Sequence, residues 1–131
     1  MKPLLLTFFL FTSILFLDIK ILPAQSLENI SLAIETANAR ELSRYFDNNV
    51  EVTIVNNEGM YSKAQAELIV KDFFSKNPPS SFRIIHQGSS DRGSMYGIGT
   101  LITPQKSFRT YLYVKENNGG FLIQQIRFEE D

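Results

Sequence analysis

The chain has 131 residues, with 44% hydrophobic and 21% charged positions, and thirteen basic against fourteen acidic residues leave a formal net charge of -1. That length allows one domain, and the composition is that of a folded globular chain rather than a disordered or fibrous one. With no Cys, no Trp and one His, the chain has no disulfide, no thiolate nucleophile and none of the usual zinc-ligand spacings, and its near-neutral charge argues against nucleic acid as a partner.

Met1-Lys2 is a short positive start, and Pro3 to Leu17 is almost wholly apolar. A run of about fifteen residues has the length of a signal-peptide core and falls short of the roughly 20 that a membrane-spanning helix needs. Asp18 and Lys20 close it, and Leu22-Pro23-Ala24-Gln25-Ser26 supplies small residues for a signal peptidase. Cleavage is expected after Ala24 or Ser26, which assigns residues 1–25 to a leader and 26–131 to the domain. An uncleaved anchor is the other reading. Either way the domain is expected outside the cytoplasm, periplasmic or secreted, touching a membrane only through the leader. The mature part keeps eleven basic and thirteen acidic residues, a net of -2.

Leu27, Ile30, Ala33, Ile34 and Ala37 recur at helical spacing from Ser26 or Glu28 onward. Asn38 interrupts them, and Arg40 to Phe46 continues, so two short helices or one kinked helix are expected. Asp47-Asn48-Asn49 has turn chemistry, Val50 to Val55 alternates as a strand, and Asn56-Asn57-Glu58-Gly59 is expected to turn. Met60-Tyr61 fits a short return strand. Ser62 with Gln65 forms a capping-box signature for a helix carrying Ala66, Ile69, Val70, Phe73 and Phe74 on one side, and Asn77-Pro78-Pro79 ends it.

After Pro79 the period changes to two. Strands are expected over Phe82–His86, Met95–Ile102, Phe108–Lys115 and Phe121–Glu129, joined by short turns into an antiparallel meander. Helices first and strands last point to an α+β fold, with the helices on one face of a curved antiparallel sheet. Gly97 and Gly99 share a face of their strand and permit a bend or a close approach. Such a sheet wrapped around helices leaves a cone-shaped hollow. The acidic tail Glu129-Glu130-Asp131 is expected to be solvated.

The chain resembles the DUF4783 family of small secreted Bacteroidota proteins, and more widely the NTF2-like (cystatin-like) fold. The residues that carry the resemblance are Ala39–Phe46, Val50–Ile54, Tyr61–Glu67, Asp72–Phe74, His86–Gly88, Tyr96–Thr100, Tyr111 with its neighbours, and Ile123–Arg127. The resemblance covers nearly all of residues 26–131. It implies the fold and secretion, no cofactor and no particular activity, because NTF2-like proteins include isomerases, dehydratases, transport adaptors and plain binding modules.

His86 is the single imidazole, suited to acid–base work near neutrality, and Asp91 in the adjacent loop is its nearest candidate partner in sequence. Glu51 is a carboxylate in mid-strand, expected on the face away from Val50 and Val52. Arg109 alternates with apolar residues and is the best placed arginine for an anion. Tyr111 and Tyr113 share the strand face of Arg109, opposite Phe108, Leu112 and Val114. Both faces of this strand therefore carry apolar surface, and one of them needs a cover. Homodimerisation through the sheet, which the fold resemblance implies, would supply it. The ligand-binding candidates are Tyr61, His86, Arg109 and Tyr111. Two functions follow: a non-enzymatic module binding a small apolar ligand or a protein partner, and a small pocket enzyme using His86 with a Tyr or Asp. The lack of clustered titratable groups favours the first.

Overall fold

A computed structural model describes residues 23–118 and 120–131; the leader up to Leu22 lies outside the described residues, and both expected cut sites, after Ala24 and after Ser26, fall within the first turn of the first helix. Helix α1 (Pro23–Glu35) and helix α2 (Ala39–Ser43) lead into strand β1 (Phe46–Ile54) and strand β2 (Asn57–Ser62). Helix α3 (Lys63–Lys76) follows, and then β3 (Ser81–Ser89), β4 (Ser94–Ile102), β5 (Ser107–Asn117) and β6 (Gly120–Glu130).

The break between the first two helices sits where Asn38 interrupts the pattern. Ala37 takes a left-handed φ of 56°, and its N–H and that of Asn38 donate to Ile34 and Ala33 carbonyls at 3.0 and 2.8 Å. This is the paired hydrogen bonding that closes many helices. The Asn38 side chain then accepts from the Glu41 N–H at 3.0 Å and starts α2. The expected capping box forms: Ser62 Oγ accepts from the Gln65 N–H at 3.3 Å, and the Gln65 side chain returns to the Ser62 N–H at 3.4 Å. Helix α3 turns Ala66, Val70, Phe73 and Phe74 into the core.

The six strands form one sheet in the order β2-β1-β6-β5-β4-β3. Strands β3 to β6 are the antiparallel meander that the period-two pattern predicts. The expectation of a wholly antiparallel sheet is corrected by β1, which pairs in parallel with β6 while remaining antiparallel to β2. Helix α3 and four strands separate β1 from β6 in the chain, so no tight turn dictates their direction. The sheet is mixed. Nor do Asp47–Asn49 turn the chain; they belong to β1, where the pairing with β6 shifts between Phe46 and Glu51. The Gln124 amide donates to Asp47 Oδ2 at 2.8 Å, which anchors this irregular stretch to β6.

The inner face of the sheet, against the helices, carries Val50, Val52, Leu101, Phe108, Leu112, Ile126 and Phe128, all buried. The hollow of the cone is filled by rings. Phe73 stacks on Phe128 at 4.5 Å between centroids and meets Phe108 edge-on at 5.0 Å, and Phe74 meets Phe128 at 6.0 Å. Toward the β3 edge, on the same inner face, Gly97 faces Leu27 of α1. A Cβ on Gly99 would stand 2.7 Å from the Phe82 ring and 2.8 Å from the Arg83 carbonyl, so this strand admits only hydrogen there.

Candidate functional site

The rings stop short of one end of the cone. Between the C-terminal half of α3 and the ends of β1, β2 and β5 lies a cleft of about 330 Å³. Its floor is Val52, Phe73 and Phe108, and its walls are the half-buried Ile54, Val55, Tyr61 and Ile69. Asn57, Asp72, Lys76, Asn77, Lys106 and Glu130 form the rim. Such a volume lies at the small end of ligand sites, which run roughly 300–1,000 Å³. A second hollow, of about 410 Å³, between the α1–α2 connection and α3, mixes the polar Thr36, Asn38, Arg40, Glu67 and Lys71 with Ala37, Ala39 and Leu68, and no aromatic ring lines it.

The charged groups of the rim are paired at the surface. Lys76 Nζ lies 2.9 Å from Asp72 Oδ2, and Lys106 Nζ lies 2.7 Å from Glu130 Oε1. The Asn77 amide donates to the Phe73 carbonyl at 3.2 Å and helps to close α3. The Tyr61 ring lies over Gly59, where a Cβ would come within 2.6 Å of the hydroxyl oxygen. Gly59 is therefore what lets Tyr61 lie down along the cleft wall. The Tyr61 hydroxyl makes no hydrogen bond among the described residues.

The four candidate residues separate onto two faces. Tyr61 lines the cleft. His86, Arg109 and Tyr111 stand on the outer face of the sheet, away from the helices. His86 pairs in register with Ile98, and Ile98 with Tyr111, whereas Gly97 and Gly99 face inward. His86 and Arg109 are exposed and Tyr111 is half-buried. His86 is two strand spacings, about 10 Å, from the backbone of Tyr111. A site combining His86 with Tyr61 is not assembled, because the sheet itself lies between them.

The outer face has its own polar cluster. Arg127 lies over the Tyr111 ring, with its guanidinium carbon 5.5 Å from the centroid, and is hydrogen-bonded to Glu129. Glu51 points outward, as its alternation with Val50 and Val52 predicts. Its carboxyl is held above the ordinary value of 4.5, chiefly by a hydrogen bond with the Glu58 carboxyl, then by partial burial and the Glu58 charge; Arg127 and Gln125 oppose the shift. Tyr96 and Tyr113 are 50% and 40% exposed and face each other across β4 and β5, close to Ile98. The acidic tail is solvent-exposed at Glu130 and Asp131, as expected, and pairs at the surface with bases: Glu129 meets Arg127, Glu130 meets Lys106, and Asp131 lies 3.6 Å from Arg109. Extension of β6 to Glu130 brings each carboxylate beside a base.

Sequence reasoning missed the cleft residues Val55, Asn57, Lys76 and Lys106. Helical spacing places Ile69, Asp72 and Lys76 along adjoining turns of α3, a signal for one wall. The opposing wall is built by the β1–β6 pairing, which has no local signal.

Among the described residues, no group of three or more His, Asp or Glu side chains is placed to hold a metal ion, and no helix is long and apolar enough to cross a membrane. No curated protein matches the sequence significantly. Among solved structures, the chain is similar to a DUF4783 family protein from Bacteroides uniformis, with 30% identity and a TM-score of 0.76 over 79% of this chain and 95% of that one. A DUF4783 family protein from Bacteroides fragilis gives 32% identity and a TM-score of 0.74 over 79% and 96%. An NTF2-like protein of unknown function from Cytophaga hutchinsonii shares 10% identity at a TM-score of 0.64 over 87% and 94%, a likeness of fold alone. The family model described as "Domain of unknown function (DUF4783)" matches residues 27–129. The chain belongs to the DUF4783 family and has the NTF2-like α+β fold.

Proposed function

We propose that this protein is an exported, non-enzymatic binding module that holds a small apolar or amphipathic molecule in the cleft between α3 and the inner face of the sheet. One observation carries this reading: the cleft has an apolar floor, its charged rim groups are already paired with one another, and His86 is on the other side of the sheet. A pocket enzyme needs a titratable group positioned at the reacting atoms. The pairing of Lys76 and Lys106 with carboxylates leaves Tyr61 as the unengaged polar side chain of the wall.

Export is proposed from the leader. The burial of Ser26 in α1, at 2% exposure, favours a cut after Ala24, since a cut after Ser26 would remove a packed residue and put a charged terminus on Leu27. Native mass spectrometry of the protein, expressed from its full sequence and recovered from the periplasm, tests both points. The expected result is a mass beginning at Gln25 with a small molecule bound, and loss of that molecule in Ile69→Gln. Retention of the full-length mass overturns the export reading; an empty protein that binds no apolar probe overturns the cleft reading.

A second reading has its own support. Tyr96 and Tyr113, with Ile98 beside them, leave an aromatic patch uncovered on the outer face, and Arg109 and Tyr111 border it. Homodimerisation through this face would bury the patch. Sedimentation at rising protein concentration tests it: Tyr113→Lys is expected to shift a dimer to monomer, and a monomer at all concentrations rejects the dimer.

A further inference from the structure

Val55 occupies a backbone conformation that its side chain disfavours. It is the first residue of the two-residue turn Val55-Asn56, with φ of 57°. Hairpins place Gly, Asn or Asp at such positions, and a β-branched residue there is a true outlier. Of the two asparagines that follow, Asn56 takes the second turn position and Asn57 opens β2, and neither takes the left-handed position. The Val55 N–H is held by the Phe128 carbonyl at 2.7 Å, which extends the β1–β6 pairing and fixes the strained residue. Its side chain lines the cleft. Backbone strain of this kind persists where the surrounding structure over-determines it, and it concentrates at ligand sites.

The rim complements that apolar wall with no net field. Two ammonium groups and two carboxylates form two closed pairs, so a ligand of either sign meets as much repulsion as attraction. A charged head carried inside would lose its hydration against Phe73, Phe108 and Val55 with no free counter-charge. The Tyr61 hydroxyl both donates and accepts, and it suits a single uncharged polar group.

We propose that the cleft selects an uncharged amphipathic molecule: an apolar body against Val55, Ile69, Phe73 and Phe108, and one hydroxyl, carbonyl or arylamine group on the Tyr61 hydroxyl. This deepens the cleft-binding reading above and rests on it.

A matched pair of fluorescent probes tests the class. N-phenylnaphthylamine is uncharged, and anilinonaphthalene sulfonate is the same skeleton with an anionic group. Each is titrated into the protein expressed from its full sequence, with circular dichroism to verify that every variant is folded. The neutral probe is expected to bind roughly tenfold or more tightly than the sulfonate, without dependence on salt. Ile69→Gln should weaken the neutral probe strongly. Tyr61→Phe should weaken it by roughly three- to tenfold, the effect of one neutral hydrogen bond. Sulfonate binding as tight as or tighter than the neutral probe overturns the uncharged class while leaving the cleft as a ligand site. Unchanged affinity in Tyr61→Phe overturns the hydroxyl contact. Binding of neither probe, or binding indifferent to Ile69→Gln, overturns the cleft as the site along with the class.

Discussion

The two faces of the sheet are built from the same strands and answer to different demands. On β5, Phe108, Leu112 and Val114 point inward and are buried, while Arg109, Tyr111 and Tyr113 point outward. Inward, rings from α3, β5 and β6 interlock at centroid distances of 4.5–6.0 Å, and they fill the cone but leave the cleft near Val55 open. Outward, Tyr96 and Tyr113 meet no part of the described chain that buries them. The inner face is closed by the chain's own helices. The outer face is finished as a surface, with charges interleaved among its tyrosines.

The largest test of that contrast is Phe128→Ala. Phe128 is fully buried and touches both α3 rings, and its loss should cost about 3–5 kcal/mol in denaturant unfolding. A loss below about 1 kcal/mol would mean that the ring cluster is not the keystone of the inner face. Gly99→Ala should cost about 1–3 kcal/mol, because the new methyl meets a backbone carbonyl that cannot move aside cheaply.

Val55→Asn should leave the melting temperature unchanged or higher, because relief of a left-handed β-branched residue, worth about 1–2 kcal/mol, offsets the lost apolar contact. The same variant should weaken binding of the neutral probe. A clear fall in stability would show that Val55 is retained for packing and not for the cleft wall.

On the outer face, pH is the sharper probe. The raised Glu51 pKa means that the folded state holds its proton more tightly than the unfolded chain does. That contribution to stability is fully present below 4.5 and is lost as pH rises through the raised value. Glu58→Gln removes the carboxyl that raises the Glu51 pKa, so stability should gain slightly at neutral pH and its fall with rising pH should flatten. A melting temperature with the same pH profile in both proteins would discard Glu58 as the cause of the shift. The smallest effect belongs to Tyr113→Ser, expected within about 0.5 kcal/mol in the monomer, as for most exposed positions; a larger loss that grows with protein concentration would mark a second copy on this face.

Much of the architecture could be read along the chain because its causes are local. The capping box at Ser62 and Gln65 satisfies backbone donors within one turn of helix. The apolar spacing from Leu27 to Ile34 and from Ala66 to Phe74 fixes which side of each helix is buried. The alternation in β4 to β6 fixes which residues share a face, and Arg109, Tyr111 and Tyr113 do share one. Alternation does not say which face meets the helices relative to a distant residue such as Tyr61 or His86. That is why four candidates considered together in the sequence are divided by the sheet.

The turn at Val55-Asn56 was equally illegible. Turn chemistry points one residue further on, to Asn56–Gly59, but the chain reverses at Val55 and Asn57–Ser62 becomes strand β2. The register of β1 against β6 set that choice, since the Phe128 carbonyl captures the Val55 N–H. By itself the sequence determined the helices, their caps, the meander and the residues that share each face, because hydrogen bonds and side-chain periods within a few residues are enough to specify them. Only the tertiary structure decided the parallel closure of β1 on β6, the strain at Val55, the pairing of the rim lysines and the position of the cleft. Those depend on contacts between segments tens of residues apart, whose meeting no local preference encodes.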